Sequence, residues 1–424
     1  MRTMGDLPMT ATKDVTMRGP NYDESKIGPY ALEDPLAFFD GRKLESVEDW
    51  PARRAEILDV FAREMYGAEP PRPDAVVTEM FDESATCGGL GIRRQYHMWF
   101  REDKSGPCID WVVFIPNRIA GDVPQKKADR MVCENKRKTP VVLFLNYDGN
   151  PSIEDKWRKT EHRYQFPLET ILARGYAVMS ASYQDVSPDP GGEDAEESRA
   201  RQDAHAYTKV FSLWGPRDPA RTDNIASLGA WAWALSRGLD LAERIPEVDA
   251  TKSVATGCSR LGKTALLAAA RDERFAVCAP IQTGGGGAPL AKRDFGENVS
   301  TETRMFTHWF CRAYAKYAGN EQAMAFDQHL LLASIAPRAL LVLGFNNPWF
   351  DTKGEFLACR AASPAWEFFG EDGLPPGDWP ENWDVSRIGR KLGYVRRGGA
   401  HGMAGDDWNW ILNFADGVFL PTAP

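Results

Sequence analysis

Apolar positions along this chain follow two periods. Val141-Val142-Leu143-Phe144-Leu145 and Ala339-Leu340-Leu341-Val342-Leu343 are unbroken apolar runs, the pattern of strands covered on both faces of a parallel sheet. Shorter runs at 94–100, 109–115, 176–180, 253–256, 275–281 and 392–396 read as further strands. Between them apolar residues recur at helical spacing. The stretch 52–66 carries Ile57, Leu58, Phe61 and Met65 on one face, and Gly67 followed by Pro70, Pro71 and Pro73 stops it. The same spacing predicts helices over 168–174, 225–245, 264–270, 301–318, 321–334, 355–369 and 408–419. Strands alternating with helices predict a doubly wound, mostly parallel α/β sheet with helices on both faces. Residues 1–27 read as a loose polar tail, 117–138 as a charged loop, and 28–424 as a single domain. The stretch 185–223 is long, polar and rich in Pro, Gly and Glu; a loop of that length in a compact domain is expected to carry function.

Composition narrows the classes. With 424 residues, 43% hydrophobic and 26% charged, the chain has the material for a sizeable core. A net charge of −9 argues against a partner held through phosphates, so no nucleic acid is expected. No apolar run reaches the roughly 18 residues of a membrane-crossing helix, and the N-terminal stretch has no apolar signal core. The seven cysteines (87, 108, 133, 258, 278, 311, 359) make no close CxxC or Cys/His pattern, so neither a metal nor a disulfide framework is expected. Fourteen tryptophans are many. Core packing accounts for most, although the indole face also stacks on sugar rings.

The candidate chemistry lies at one strand-to-helix junction. Gly257-Cys258-Ser259-Arg260-Leu261-Gly262-Lys263 follows the strand-like Ser253-Val254-Ala255-Thr256 and precedes a helix-like run. A serine on such a turn is how an α/β-hydrolase exposes its nucleophile. Glycine two residues earlier lets the backbone turn. The second glycine of the usual motif is expected two residues after the serine, where Leu261 stands; Gly262 comes one later. The string also has phosphate-loop spacing, from Gly257 to Gly262-Lys263-Thr264, and glycine with serine also makes plain helix caps. The surroundings favour the hydrolase, whose chain order is serine, acid, histidine. His308 and His329 fall in helical patterns and are expected to be structural. His401 sits in Gly398-Gly399-Ala400-His401-Gly402, between the last predicted strand and helix, where this fold carries its base. A phosphate-loop ATPase would want a strand ending in Asp, and the last strands run into Asn346-Asn347 and Gly398-Gly399 instead.

These residues resemble those of the glucuronoyl esterases, carbohydrate esterase family fifteen, in its bacterial type. The serine signature GCSRLGK is accompanied by Asp34-Pro35-Leu36, Trp50, Arg53-Arg54-Ala55-Glu56-Ile57, Tyr66-Gly67, Leu145-Asn146-Tyr147-Asp148-Gly149-Asn150, Phe295-Gly296-Glu297-Asn298, Phe326-Asp327-Gln328-His329, Ala336-Pro337-Arg338, Gly354-Glu355-Phe356-Leu357 and Gly399-Ala400-His401. The resemblance implies a secreted or periplasmic α/β-hydrolase without cofactor. Such an enzyme cleaves esters of 4-O-methyl-glucuronic acid, which join glucuronoxylan to lignin alcohols. It implies Ser259 as nucleophile, His401 as general base, Arg260 as oxyanion donor through its amide and guanidinium, Lys263 on sugar hydroxyls, and Glu297 and Trp349 in sugar binding. A monomer is expected.

Two departures stand out. The family's triad acid occupies one of two positions, and here both hold amides, Gln282 and Asn347. Asn347 is expected to take over as the residue orienting His401, with Asp351, Glu302 and Glu355 as nearby carboxylates that could substitute. A catalytically weak sugar-binding relative and a xylan deacetylase are the rival readings. The residue after His401 is Gly402, so the bridge that fungal relatives make from the cysteine before the serine is absent.

Overall fold

The computed structural model describes residues 19–117, 138–154, 166–190 and 202–420. Residues 118–137 of the expected loop 117–138, with Cys133, the tail residues 1–18 and part of the 185–223 loop lie outside them. Among the described residues nine strands form one sheet: β1 (Val77–Thr86), β2 (Gly91–Trp99), β3 (Cys108–Pro116), β4 (Thr139–Asn146), β5 (Ala177–Ser182), β6 (Val248–Cys258), β7 (Val277–Ile281), β8 (Ala339–Phe345) and β9 (Leu392–Arg397). Their order is β1-β2-β3-β5-β4-β6-β7-β8-β9. The first three are antiparallel to their neighbours, and β5, β4, β6, β7, β8 and β9 run parallel.

The apolar runs are continuous because both faces are covered. On β4, Val141, Leu143 and Leu145 enter one core while Val142 and Phe144 enter the other. Trp111 and Val113 of β3 split from Val112 and Phe114 in the same way. The first core takes the helices Trp50–Phe61, Ser227–Ala242, Arg260–Arg271, Gln328–Ala333 and Thr352–Phe368; the second takes Leu168–Ala173 and Gly405–Phe419. From β4 the chain goes to β5 on one side and then to β6 on the other. That reversal opens a crevice at the C-terminal ends of β4 and β6, where such sheets bind ligands. Ser259 immediately follows β6.

The sequence pattern misses three features. β1 is an edge strand with Met80 and Phe81 exposed, so it lacks an apolar face; cross-strand pairs such as Arg93–Asp82 and Arg94–Glu83 accompany its ladder. The helices expected over 301–318 and 321–334 are broken into Val299–Met305, Gln328–Ala333 and short 3-10 turns. Tertiary demand breaks them: the His308 and Trp309 carbonyls accept the Ser227 and Leu228 N–H groups, capping the helix Ser227–Ala242. Residues 19–27, read as tail, are tied to the body, with Gly296 N–H donating to Asn21 O at 2.7 Å and Arg293 Nη2 to Glu24 Oε1 at 2.7 Å. Among the described residues no helix is long and apolar enough to cross a membrane, and none of the six described cysteines forms a disulfide.

Candidate active site

Ser259 joins β6 to the helix Arg260–Arg271 with φ 59° and ψ −130°. A non-glycine residue there is strained and persists only where its surroundings fix it. Its N–H donates to Ile281 O at 2.9 Å, and its carbonyl accepts the Gly262 and Lys263 N–H groups at 2.8 and 3.0 Å. Tyr147 Oη donates to the preceding carbonyl, Cys258 O, at 2.6 Å. Space dictates both glycines. A Cβ on Gly257 would stand 2.3 Å from Leu261 O, and one on Gly262 would stand 2.8 Å from Ile281 O and 2.9 Å from Gly257 O. The second glycine therefore falls where the helix touches β7, three residues after the serine.

His401 lies in the loop after β9, its ring centroid 5.5 Å from that of Phe345 and 4.6 Å from that of Phe350. Its Nδ1 is 2.8 Å from Gln282 Oε1, and the same oxygen accepts the Gly402 N–H at 3.0 Å. A backbone N–H only donates, so the amide turns its oxygen to this point and Nδ1 carries the proton. Nε2 is then the accepting nitrogen. Gln282 itself has φ 49°, and its N–H donates to Leu343 O at 2.6 Å. Its buried Nε2 has no hydrogen-bond partner among the described residues.

Asn347, the expected orienter, is occupied elsewhere: its Oδ1 accepts the Trp349 N–H at 2.9 Å and caps the turn Pro348–Phe350. The position that meets His401 is Gln282, because it directly follows β7, whereas Asn347 lies one residue further past β8. The three substitute carboxylates also have other partners. Asp351 accepts Arg293 Nε at 2.9 Å and the Gly354 N–H at 3.0 Å. Glu355 accepts Thr283 Oγ1 at 3.3 Å, and burial, with the Asp351 charge added, pushes its carboxyl well up. Glu302 accepts Tyr314 Oη at 3.2 Å.

Arg260 begins the helix after Ser259, and its guanidinium lies over Trp309, 4.9 Å from the ring centroid. It pairs with Asp189, whose other oxygen is 2.9 Å from His308 Nε2. Burial alone would raise the Asp189 carboxyl. The His308 hydrogen bond and the Arg260 charge outweigh it and hold it at about 2. His308, expected within a helix, thus stands in a turn and braces this pair. Lys263 is buried, not a solvated helix lysine: its Nζ donates to Glu297 Oε2 at 3.0 Å and lies 3.8 Å from Glu302 Oε1. Burial, reinforced by the Glu297 charge, raises the Glu302 carboxyl well up despite Lys263. Carboxylates around this lysine suit a hydroxyl-rich ligand and repel a phosphate. The Glu297 N–H donates to Trp349 O at 2.7 Å, so hydrogen bonds link Lys263, Glu297 and the half-buried Trp349.

Asp189 and Trp309 were not singled out in the sequence. The signal for Asp189 was the long polar loop, where it lies between Pro188 and Pro190. Trp309 lay inside a stretch that reads as helix. The arrangement offers a strained serine at a helix N-terminus, an imidazole in a fixed tautomer, a braced guanidinium and a linked set of polar groups, side-chain types that acyl transfer can use.

A family model of fungal glucuronyl esterases matches residues 193–370. The chain is 32% identical to carbohydrate esterase MZ0003 from an unknown prokaryotic organism, over 94% of this chain and 92% of that protein. It is 26% identical to a 4-O-methyl-glucuronoyl methylesterase of Schizophyllum commune, over 85% of this chain and 77% of the relative. Among solved structures, the glucuronoyl esterase from Solibacter usitatus matches with a TM-score of 0.81 at 30% identity, covering 94% of this chain and all of that one (100%). A promiscuous CE15 esterase from the marine bacterial metagenome matches with a TM-score of 0.77 at 29% identity, covering 95% and 100%. With a relative more than 30% identical along nearly its whole length and a solved glucuronoyl esterase matched over nearly all of both chains, the chain belongs to the glucuronoyl esterases of carbohydrate esterase family 15.

Proposed function

We propose that this chain is a serine esterase that hydrolyses esters of 4-O-methyl-glucuronic acid of the glucuronoxylan–lignin kind, acting outside the cytoplasm. The observation that carries the mechanism is the Gln282–His401 contact, which holds the proton on Nδ1 and turns Nε2 into a base. Ser259 Oγ attacks the ester carbonyl as Nε2 takes its proton. The Arg260 amide, at the helix N-terminus, and its guanidinium meet the negative charge that develops on the carbonyl oxygen. The alcohol leaves with the proton returned by His401, and water then attacks the Ser259 acyl group through the same base. Lys263, Glu297 and Trp349 bind the uronate ring. The amide at 282 makes turnover slower than a carboxylate would, without removing it. Paired assays test the substrate class: kcat/KM for a benzyl ester of glucuronic acid should exceed that for an aryl acetate. A higher value for the acetate would favour the deacetylase reading.

A further inference from the structure

The antiparallel edge of the sheet holds a cluster that ester chemistry does not use. His97 on β2 stands opposite Asp110 on β3, and Cys108 lies two residues before Asp110, on the same face. His97 Nδ1 is 2.7 Å from Asp110 Oδ1, and Cys108 Sγ is 3.3 Å from that oxygen and 4.0 Å from Nδ1. One nitrogen, one sulfur and one oxygen converge within 4.8 Å. We propose that His97, Cys108 and Asp110 form a binding site for a thiophilic divalent cation of the zinc class.

The donor set selects the ion. Sulfur with imidazole is wrong for calcium or magnesium, which take oxygen ligands, and suits zinc. Tetrahedral zinc, with bonds of about 2.0–2.3 Å, sets its ligand atoms roughly 3.3–3.6 Å apart. The three observed separations, 2.7, 3.3 and 4.0 Å, bracket that spacing. The ligands sit on a rigid ribbon. Phe81 stacks on the His97 ring at 4.0 Å and Trp99 lies at 5.3 Å, while Asp110 O accepts Asn150 Nδ2 at 2.7 Å. The His97 and Asp110 side chains are 34% and 46% exposed, so water reaches the cluster and can complete the coordination. Among the charges around the cluster, Asp185 lies near Asp110 and Cys108 with Lys209 partly offsetting it, and the neighbouring Glu79 is paired with Lys104, so the Asp110 carboxylate is the main attraction for a cation.

Binding is balanced by one proton. Cys108 loses its thiol proton to solvent and binds as thiolate, and the His97 proton moves from Nδ1 to Nε2 so that the Nδ1 lone pair faces the ion. β3, β5 and β4 separate β2 from β6. The ion would therefore clamp the β2–β3 hairpin and stay outside the ester reaction. Sequence spacing hid the cluster because His97 reaches Cys108 and Asp110 only through the pairing of β2 with β3.

The test titrates the chelator-treated full chain with Co²⁺ alone. A one-to-one complex with thiolate-to-cobalt charge-transfer absorption, displaced by Zn²⁺, is expected. Cys108→Ser should abolish that absorption and His97→Gln should weaken binding, with ester hydrolysis retained in both as proof of folding. Absence of the band in the parent, or its survival in Cys108→Ser, would overturn the proposal.

Discussion

Gln282 presents an oxygen to His401 but no charge. In a triad where Asp becomes Asn, turnover falls by about four orders of magnitude, chiefly because the wrong imidazole tautomer forms. Here the Gly402 N–H pins the amide oxygen toward Nδ1, so the tautomer is preserved and only the imidazolium goes unstabilised. A hydrogen bond to a charged group is worth about 1.5–3 kcal/mol against about 1 for a neutral one, and about 1.4 kcal/mol is tenfold in rate. Gln282→Glu should therefore raise kcat about tenfold. It should also move the acidic limb of the pH–rate profile to higher pH, because a carboxylate at Nδ1 favours the protonated ring. Asn347→Asp, which adds its charge at a turn cap, should leave kcat unchanged. Steady-state pH profiles of both variants check this; a gain from Asn347→Asp with none from Gln282→Glu would reverse the assignment. The amides at both acid positions were legible in the sequence. Which of them meets His401 depends on how the ends of β7 and β8 lie about the ring, and no spacing along the chain encodes that.

The strand-to-helix turn at Ser259 was readable because its constraints are local: glycines with no room for Cβ, a helix start, a buried strand. The helices between 301 and 334 were misread because their breaks serve distant partners, namely the helix cap at Ser227 and the brace from His308 to Asp189. The helix Gln328–Ala333 is different, since there the periodicity survived. It carries His329, whose buried Nε2 is 2.7 Å from Glu33 O. Burial is the main cause that depresses this imidazole to about 4; the Glu33 contact opposes it in part. The folded state therefore keeps His329 neutral where the unfolded chain, at about 6.5, has begun to protonate. Its contribution to stability is complete above pH 6.5 and is lost as pH falls to 4, by about 3 kcal/mol in all. His329→Gln removes the titration. Denaturant unfolding of the two proteins should show the parent losing stability relative to the variant across that window. Parallel curves would refute the buried neutral histidine.

The doubly wound sheet was visible in the alternation of apolar runs and helical spacing, because a strand covered on both faces has no polar positions to spare. The antiparallel edge strand β1 was not, since both its faces are largely wet. Topology then does what motif reading could only assume. By reversing between β5 and β6 it sets Ser259 beside the end of β4, and it delivers Gln282 and His401 from the ends of β7 and β9. The proposal that this fold performs acyl transfer through Ser259 is tested most directly by replacing that side chain. Benzyl alcohol release from a benzyl ester of glucuronic acid should be readily measured for the parent and should fall by about three orders of magnitude or more in Ser259→Ala, with an unchanged unfolding transition. Comparable turnover by the variant would contradict the account.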